Sequence, residues 1–175
     1  MFQRPDDPVA FAVALVNTWD ELEDPPELLR DRVILRRFLG RHGFERVPKL
    51  EDVRVLRDRL RAAFEVEDEP SAVDALNRIL RGSEAKPQLV GGSGAWQLRW
   101  TGRPLDVLAS TAATSLLEAI RVDGRQRFGI CAAAPCCCVF VDRSRNRSRR
   151  YCSSLCADRV AQAAHRRRAR ARRRG

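Results

Sequence analysis

Cysteine is absent from the first 130 of the 175 residues, and all six cysteines then fall between positions 131 and 156. This distribution argues against the disulfide framework of a secreted protein and favours a reducing cytoplasm. The apolar run VAFAVALV at positions 9–16 is far shorter than the roughly 20 residues that span a bilayer. Because aspartates precede this run and NTWD follows it, a signal peptide is not expected either. We expect a soluble cytoplasmic protein with no membrane association.

No motif brings a nucleophile, a base and an orienting group together, so we expect that the protein is not an enzyme. Lysine is absent from residues 139–175, and these 37 residues contain 13 arginines against only Asp142 and Asp158, a net charge of +11. Of the 33 basic and 23 acidic residues in the chain, 20 and 21 remain for positions 1–138, whose net charge is therefore −1. This asymmetry indicates that the C-terminal part binds a polyanion.

The pattern of apolar residues predicts an α+β protein whose first 125 residues are mainly helical. Asp7 followed by Pro8 predicts a helix over about 8–18, although a buried strand is the alternative for a continuous apolar run. Four more helices are predicted from caps and apolar spacing. They run from the Asp31 cap to Gly40 and Gly43, over about 51–66, from a Ser71 cap to Gly82, and from Pro104 to about Gly124.

A change of period predicts a β-hairpin over 86–100, with GGSG as its turn. Trp96, Leu98 and Trp100 share one face of the second strand, and we expect both tryptophans to lie in the core rather than to stack on a ligand. Asn17 and Thr18 are the one polar pair directly after the buried run, so they are the candidate edge of a ligand pocket. Residues 1–125 are therefore interpreted as a regulatory domain that senses a small-molecule effector.

The cysteine spacing predicts a small zinc-binding module over 128–175. Cys131 and Cys136 suit a knuckle turn, and Cys152 and Cys156 are four apart, which places both sulfurs on one face at the start of a helix. Four thiolates make a closed structural Zn²⁺ site with no open position for catalysis. Between the two pairs, VFVDRSRNRSRRYC is expected to form two short strands joined at SRNRS, so that knuckle, hairpin and helix give a treble-clef-like zinc finger.

Cys137 and Cys138 leave the ligand set open, because either could replace Cys136. Cys136 gives the cleaner knuckle. Two other interpretations remain for these thiols, which are unrelated buried cysteines and redox sensing, since neighbouring arginines lower thiol pKa values.

The residues of this segment resemble the CGNR-type zinc finger, a C-terminal module of bacterial stress-induced transcription regulators that follows an α/β domain called ABATE. Leu15-Val16-Asn17-Thr18 and the GGSGAWQLRW segment resemble the ABATE domain. The resemblance implies zinc binding, DNA binding and a role in stress response. Ala157 and Asp158 stand where the family motif has Gly-Asn, and the last cysteine pair is one residue closer. The zinc finger itself matches at Cys131, Cys136, the segment VFVDRSRNRSRRYCS over 139–153, Cys156 and Arg159.

Arginine suits bidentate contacts to phosphate and guanine, so we expect the C-terminal part to bind nucleic acid. In a helix from about 155, four arginines form one stripe while Val160, Ala164 and Ala171 pack on the zinc module; Asp158 is expected in its first turn, holding an arginine in place. Asn146 is the side chain of the SRNRS segment that could read a base edge. The predicted contacts are Arg143, Arg145, Asn146, Arg147, Arg149, Arg150, Arg159, Arg166, Arg170 and Arg173.

Only Phe140 and Tyr151 could serve as stacking platforms in this module, fewer than single-strand binders use. Duplex DNA is therefore expected rather than RNA. The first hypothesis is a zinc-dependent, DNA-binding transcription regulator, and the alternative is an RNA-binding zinc-ribbon-like protein.

Overall fold

A computed structural model of the protein describes residues 7–92 and 95–172, and its architecture is α+β. Six helices and two antiparallel two-stranded sheets are present in this part of the chain. In chain order they are α1 (Pro8–Val16), α2 (Arg32–Arg41), α3 (Leu50–Glu65), α4 (Glu69–Arg81), β1 (Lys86–Gly92), β2 (Ala95–Thr101), α5 (Pro104–Asp123), a 3-10 turn (Arg125–Arg127), β3 (Phe128–Ile130), β4 (Val139–Val141) and α6 (Ser154–Arg172).

Helix α1 is the centre of the hydrophobic core, and the strand alternative for this run is wrong. The carboxylate of Asp7 accepts a hydrogen bond from the backbone nitrogen of Ala10, and Pro8 occupies the first turn, as predicted. Phe11, Ala12, Leu15 and Val16 are fully buried, and α1 packs against α3, α5 and β4. A short helix that is apolar on nearly all sides is stable only when neighbours surround it, and here they do.

The other predicted helices are present, with one correction at the start of α4. Its cap is Asp68 rather than Ser71, because the Asp68 carboxylate accepts a hydrogen bond from the backbone nitrogen of Ser71 at 2.7 Å. Pro70 is compatible with a first helical turn, so the helix begins before it. Asp31 caps α2, in which Gly40 lies inside the helix and Gly43 follows it with φ of 77°. Helix α5 ends at Gly124, whose φ is 83°.

Strands β1 and β2 form the predicted hairpin, but its outer end is exposed. Leu89 pairs with Leu98 and Gly91 with Trp96. Trp100 packs against the core, whereas Trp96 is 75% exposed, so the expectation that both tryptophans are buried is wrong for Trp96. The hairpin touches α5 through β2 only, and the side chains beyond that contact have no helix to cover them.

Strand β4 pairs with β3, which precedes the first cysteine, and the predicted strand after SRNRS does not form. Phe128, Gly129 and Ile130 lie opposite Val141, Phe140 and Val139. A side chain at Gly129 would begin 2.5 Å from the Phe140 ring, so this position requires glycine. Residues 142–153 form a loop that leads into α6.

The two parts of the chain share one core, because Phe128 and Val139 are buried in the same apolar cluster as α1, α3 and α5. Among the described residues, no helix is both long and apolar enough to cross a membrane. The fold thus places the cysteine-rich segment directly against the helical part.

Candidate metal centre and basic surface

The β3–β4 hairpin and the start of α6 bring four cysteines together. Cys131 directly follows β3, and its backbone nitrogen donates to the carbonyl of Cys138 at 2.9 Å, which closes the knuckle. The backbone nitrogen of Cys136 donates to the carbonyl of Ala133 at 2.9 Å. Cys152 lies two residues before α6 and Cys156 is in its first turn, so the last pair straddles the helix start instead of sharing one helical face.

The spacing of the sulfurs fits a tetrahedral zinc site. The Sγ atoms of Cys131, Cys136, Cys152 and Cys156 all lie within 4.8 Å of one another. Zn–S bonds of about 2.3 Å at tetrahedral angles place ligand sulfurs about 3.8 Å apart. The Cys136–Cys152 and Cys152–Cys156 separations are 3.7 and 3.6 Å, close to that value and far beyond the roughly 2.05 Å of a disulfide. These four residues could hold one Zn²⁺ as a closed structural site.

Burial sets the proton affinity of these thiols. It raises the pKa of Cys152 to about 12, helped by its hydrogen bonds to Cys156 and Cys136, and it raises the pKa of Cys136. At Cys131 burial acts in the same direction, but hydrogen bonds from the backbone of Cys152 and Ala133 outweigh it and lower the pKa. A metal must displace protons from such thiols, so its binding weakens as the pH falls.

Of the three adjacent cysteines, Cys136 is the one that joins the other pair members. Cys138 is buried, burial raises its pKa, and its sulfur lies within 4.8 Å of Cys136 and a carboxylate oxygen of Asp20. The carbonyl of Cys137 accepts a hydrogen bond from Arg61 Nη2 at 3.0 Å. The backbone between these cysteines is therefore tied to α3.

A buried carboxylate organises residues 143–150, which we call the arginine loop. Asp142 Oδ1 accepts from the backbone nitrogen of Ser144 at 2.7 Å, and Oδ2 accepts from that of Arg149 at 2.9 Å. These hydrogen bonds, the one with Ser144 foremost, lower the Asp142 pKa. Arg127 Nη1 donates to the carbonyls of Asp142 and Ser144 at 3.1 and 2.5 Å. Sequence reasoning missed both roles; the signal was a lone acid among five arginines.

The arginines of this loop differ in how far they are engaged. Arg143 forms a two-pronged ion pair with Asp7, with nitrogen–oxygen distances of 2.5 and 2.8 Å. Arg149 donates to the carbonyls of Tyr151 and Cys152, and its guanidinium carbon lies 5.0 Å from the centre of the Phe140 ring.

The remaining side chains of the loop are exposed, and no hydrogen bond or ion pair joins them to another described residue. They are Arg145, Asn146, Arg147 and Arg150. Arg147 has φ of 50°, a left-handed conformation that a non-glycine residue seldom adopts.

Helix α6 carries the other predicted contacts. Arg159 is half-buried and donates to the carbonyl of Ala133 at 2.6 Å, so it holds the knuckle. Val160 packs against the cysteine cluster as predicted, and Arg166 is exposed. Asp158 is the fifth residue of α6 and pairs with no arginine among the described residues, so its expected supporting role is wrong. The Arg170 side chain and Arg173 lie outside the described residues.

Asn17 and Thr18 are both engaged by the protein itself. Asn17 Nδ2 donates to the carbonyl of Val139 at 2.9 Å, and its Oδ1 accepts from the nitrogen of Val139 at 2.7 Å. Thr18 is buried, and its Oγ1 donates to the carbonyl of Leu15 at 2.7 Å. Asn17 thus clamps β4 to the end of α1. Their role at the edge of a ligand pocket stays a prediction.

Comparison with known families agrees with the resemblance seen in the sequence. The family model ABATE, described as "Putative stress-induced transcription regulator", matches residues 10–123. The family model of the CGNR zinc finger matches residues 127–169. A search of curated proteins finds no match. The first match covers more than half of the chain, and the second contains all four clustered cysteines. The chain therefore belongs to the ABATE family and ends in a CGNR zinc finger.

Proposed function

We propose that this protein is a zinc-dependent, DNA-binding transcription regulator, in which the zinc finger contacts duplex DNA and the ABATE domain regulates it. The observation that carries the proposal is the arginine loop. Arg145, Arg147 and Arg150 are exposed and have no partner among the described residues, on a loop that adjoins the cysteine cluster. Three free guanidiniums beside Asn146 offer both phosphate contacts and bidentate base contacts.

Zinc acts in this proposal as a structural ion. Cys131, Cys136, Cys152 and Cys156 would hold it, and the bound ion supplies folding energy rather than a reaction centre. The cluster connects to the arginine loop at both ends: the backbone nitrogen of Ala132 donates to the carbonyl of Arg150 at 2.9 Å, and Arg149 donates to the carbonyl of Cys152. Loss of the ion is therefore expected to release the loop.

The aromatic side chains of the module support duplex DNA over RNA. Phe140 is buried and lies beneath the Arg149 guanidinium, and Tyr151 packs against the cysteine cluster. Neither presents a free ring to an unstacked base, which is how single-stranded RNA is usually recognised.

Helix α6 supplies a second basic surface that continues from the zinc finger. Arg166, Arg167 and Arg168 follow one another on its exposed part. Consecutive helical residues point in different directions, so they surround the helix with charge and present no fixed pattern to one groove. We assign them to sequence-independent phosphate contact.

Competition binding tests the proposal. Full-length, zinc-loaded protein is bound to a fluorescent duplex and challenged with unlabelled duplex DNA, single-stranded DNA, single-stranded RNA and RNA hairpins at equal phosphate concentration. The proposal expects duplex DNA to be the strongest competitor. If an RNA displaces the protein more effectively than duplex DNA, the RNA-binding alternative takes its place.

A further inference from the structure

A groove of about 330 Å³ runs between α1 and β4, where the ABATE domain meets the zinc finger. Its walls are largely apolar, from Val9 and Val13 on one side and Val141 on the other. Arg143 and Arg149 are the charged residues that line it within the described part of the chain. An apolar cleft with basic groups at its edge is complementary to a molecule with an apolar body and an anionic end.

We propose that this groove binds a small organic carboxylate with an apolar body about the size of a phenyl ring, and that Arg143 holds its carboxylate. The volume lies at the lower end of the range of small-molecule sites, which limits the ligand to about this size. The site differs from the predicted pocket edge, since Asn17 lines the groove but uses both polar atoms of its side chain on Val139.

The choice of Arg143 over Arg149 follows from their present contacts. Arg149 donates to two backbone carbonyls and covers Phe140, so releasing it would disturb the zinc finger. Arg143 is bound by a carboxylate already, in the two-pronged geometry that a guanidinium offers to such groups. A ligand carboxylate would exchange with that of Asp7, like for like.

The exchange leaves the fold intact. After losing Arg143, Asp7 still accepts the hydrogen bond from Ala10 that caps α1, at 2.9 Å. The side chains of Arg143 and Asp7 are 62% and 37% exposed, so a solute can reach the pair without any opening of the core. Binding of the carboxylate does not depend on the proposed function. If the protein binds DNA through Arg143, the two ligands compete for it.

The test uses benzoate on the full-length, zinc-loaded protein, followed by calorimetry and by saturation-transfer NMR. Benzyl alcohol keeps the ring without the charge, and acetate keeps the charge without the ring. Saturable binding of benzoate, at least about tenfold tighter than that of either control, is expected because both halves of the ligand contribute.

Three variants locate the site. Arg143→Gln is expected to weaken benzoate binding by about tenfold or more, since it removes a charged hydrogen-bond donor. Arg145→Gln removes the same charge from the same loop outside the groove, and it should leave the affinity within about twofold. Asp7→Asn keeps a good helix cap but removes the competing charge, so it should tighten binding by about two- to fivefold.

The proposal is overturned if benzoate shows no saturable binding up to about 10 mM. It is equally overturned if Arg145→Gln loses as much affinity as Arg143→Gln, which would indicate general attraction to a basic surface. Asp7→Asn that binds benzoate more weakly than the unmodified protein would also contradict the exchange of carboxylates.

Discussion

Asp142 is the residue on which the shape of the arginine loop depends most. Its two oxygens hold the backbone nitrogens of Ser144 and Arg149, and it is buried. Asp142→Ala should therefore cost about 2 kcal/mol, because two backbone donors lose a charged acceptor. The effect should be local: amide exchange at Ser144 and Arg149 rises, while that of α1 stays unchanged. Protection of both amides in the variant would show that Asp142 does not hold the loop.

The pH dependence of this contribution follows from the lowered pKa of Asp142. A carboxyl group whose pKa is lower in the folded state stabilises that state above its unfolded pKa of about 3.9, and the contribution disappears as the pH falls through the folded value. The unfolding free energy of the unmodified protein minus that of Asp142→Asn should be constant between about pH 5 and 7 and shrink below about pH 4. Zinc release at acid pH occurs in both proteins, so it cancels. A difference that grows on acidification would contradict this assignment.

At the residue scale, what the sequence predicted depended on whether the signal was local. The four clustered cysteines were predicted from spacing alone, because ligand pairs close in sequence constrain each other. The roles of Asn17 and Asp142 were not predicted: Asn17 binds a strand 122 residues away, and the Asp142 loop relies on Arg127, 15 residues earlier. No local pattern encodes such pairings.

At the scale of elements, helix caps and apolar periods were sufficient for α1 to α5 and for the β1–β2 hairpin. The failure lies in β4. Its alternation indicated a strand, but the partner was taken to be the segment after SRNRS, whereas β3 precedes the knuckle. Strand pairing is set by contacts between segments, and Asp142 accepts the backbone bonds that a following strand would have used. The outer end of β2 failed for a similar reason, since exposure of Trp96 depends on where α5 ends.

The arginine loop and helix α6 should contribute to DNA binding in different ways. Replacing Arg166, Arg167 and Arg168 together by glutamine should weaken binding to all duplexes alike. It should also flatten the log–log salt dependence, by a slope of about 0.9 for each phosphate that the helix no longer neutralises. Arg145→Ala, Asn146→Ala or Arg147→Ala should narrow the gap between a preferred and a random duplex, by about 1–3 kcal/mol per bidentate base contact. Affinity measured against salt on both duplexes separates these effects.

Equal losses on specific and random duplexes for both groups of variants would mean that the module only adheres to phosphate. Arg36→Gln, on the exposed face of α2, is a control for the charge alone, and it should change neither slope nor specificity.

At the scale of the whole molecule, the ABATE domain and the zinc finger are coupled through a shared core. Phe128 is buried against Phe64, with ring centres 5.0 Å apart. The buried Arg125 donates to the carbonyls of Phe64, Val66 and Phe128. The sequence predicted a boundary between 125 and 128, with each part folding separately. That boundary remains a prediction, but these contacts indicate that the helical part loses stability when β3 and β4 are removed.

Phe128→Ala measures this coupling. It should lower the unfolding free energy by about 3–5 kcal/mol, as for other buried phenylalanines, and the zinc finger should unfold in the same transition. Val122→Ala, at a side chain that is 63% exposed, is the matched control and should stay within about 0.5 kcal/mol. Thermal unfolding followed by near-ultraviolet circular dichroism and by zinc release reports both parts. Separate transitions, with the helical part unaffected by Phe128→Ala, would show that the two parts are independent.

The most direct measurement of the central claim is selection of duplexes from a random-sequence pool by the full-length, zinc-loaded protein and by its Cys152→Ser variant, with bound zinc quantified in each. Cys152 is within 3.7 Å of two other sulfurs of the cluster, so its loss should release the ion. We predict one zinc per unmodified chain and enrichment of a recurring sequence that binds at least about 10³-fold more tightly than random DNA. The variant should hold no zinc and enrich no sequence. Zinc retained by Cys152→Ser, the same enriched sequence without zinc, or no enrichment by the loaded protein would contradict a zinc-dependent DNA-binding regulator.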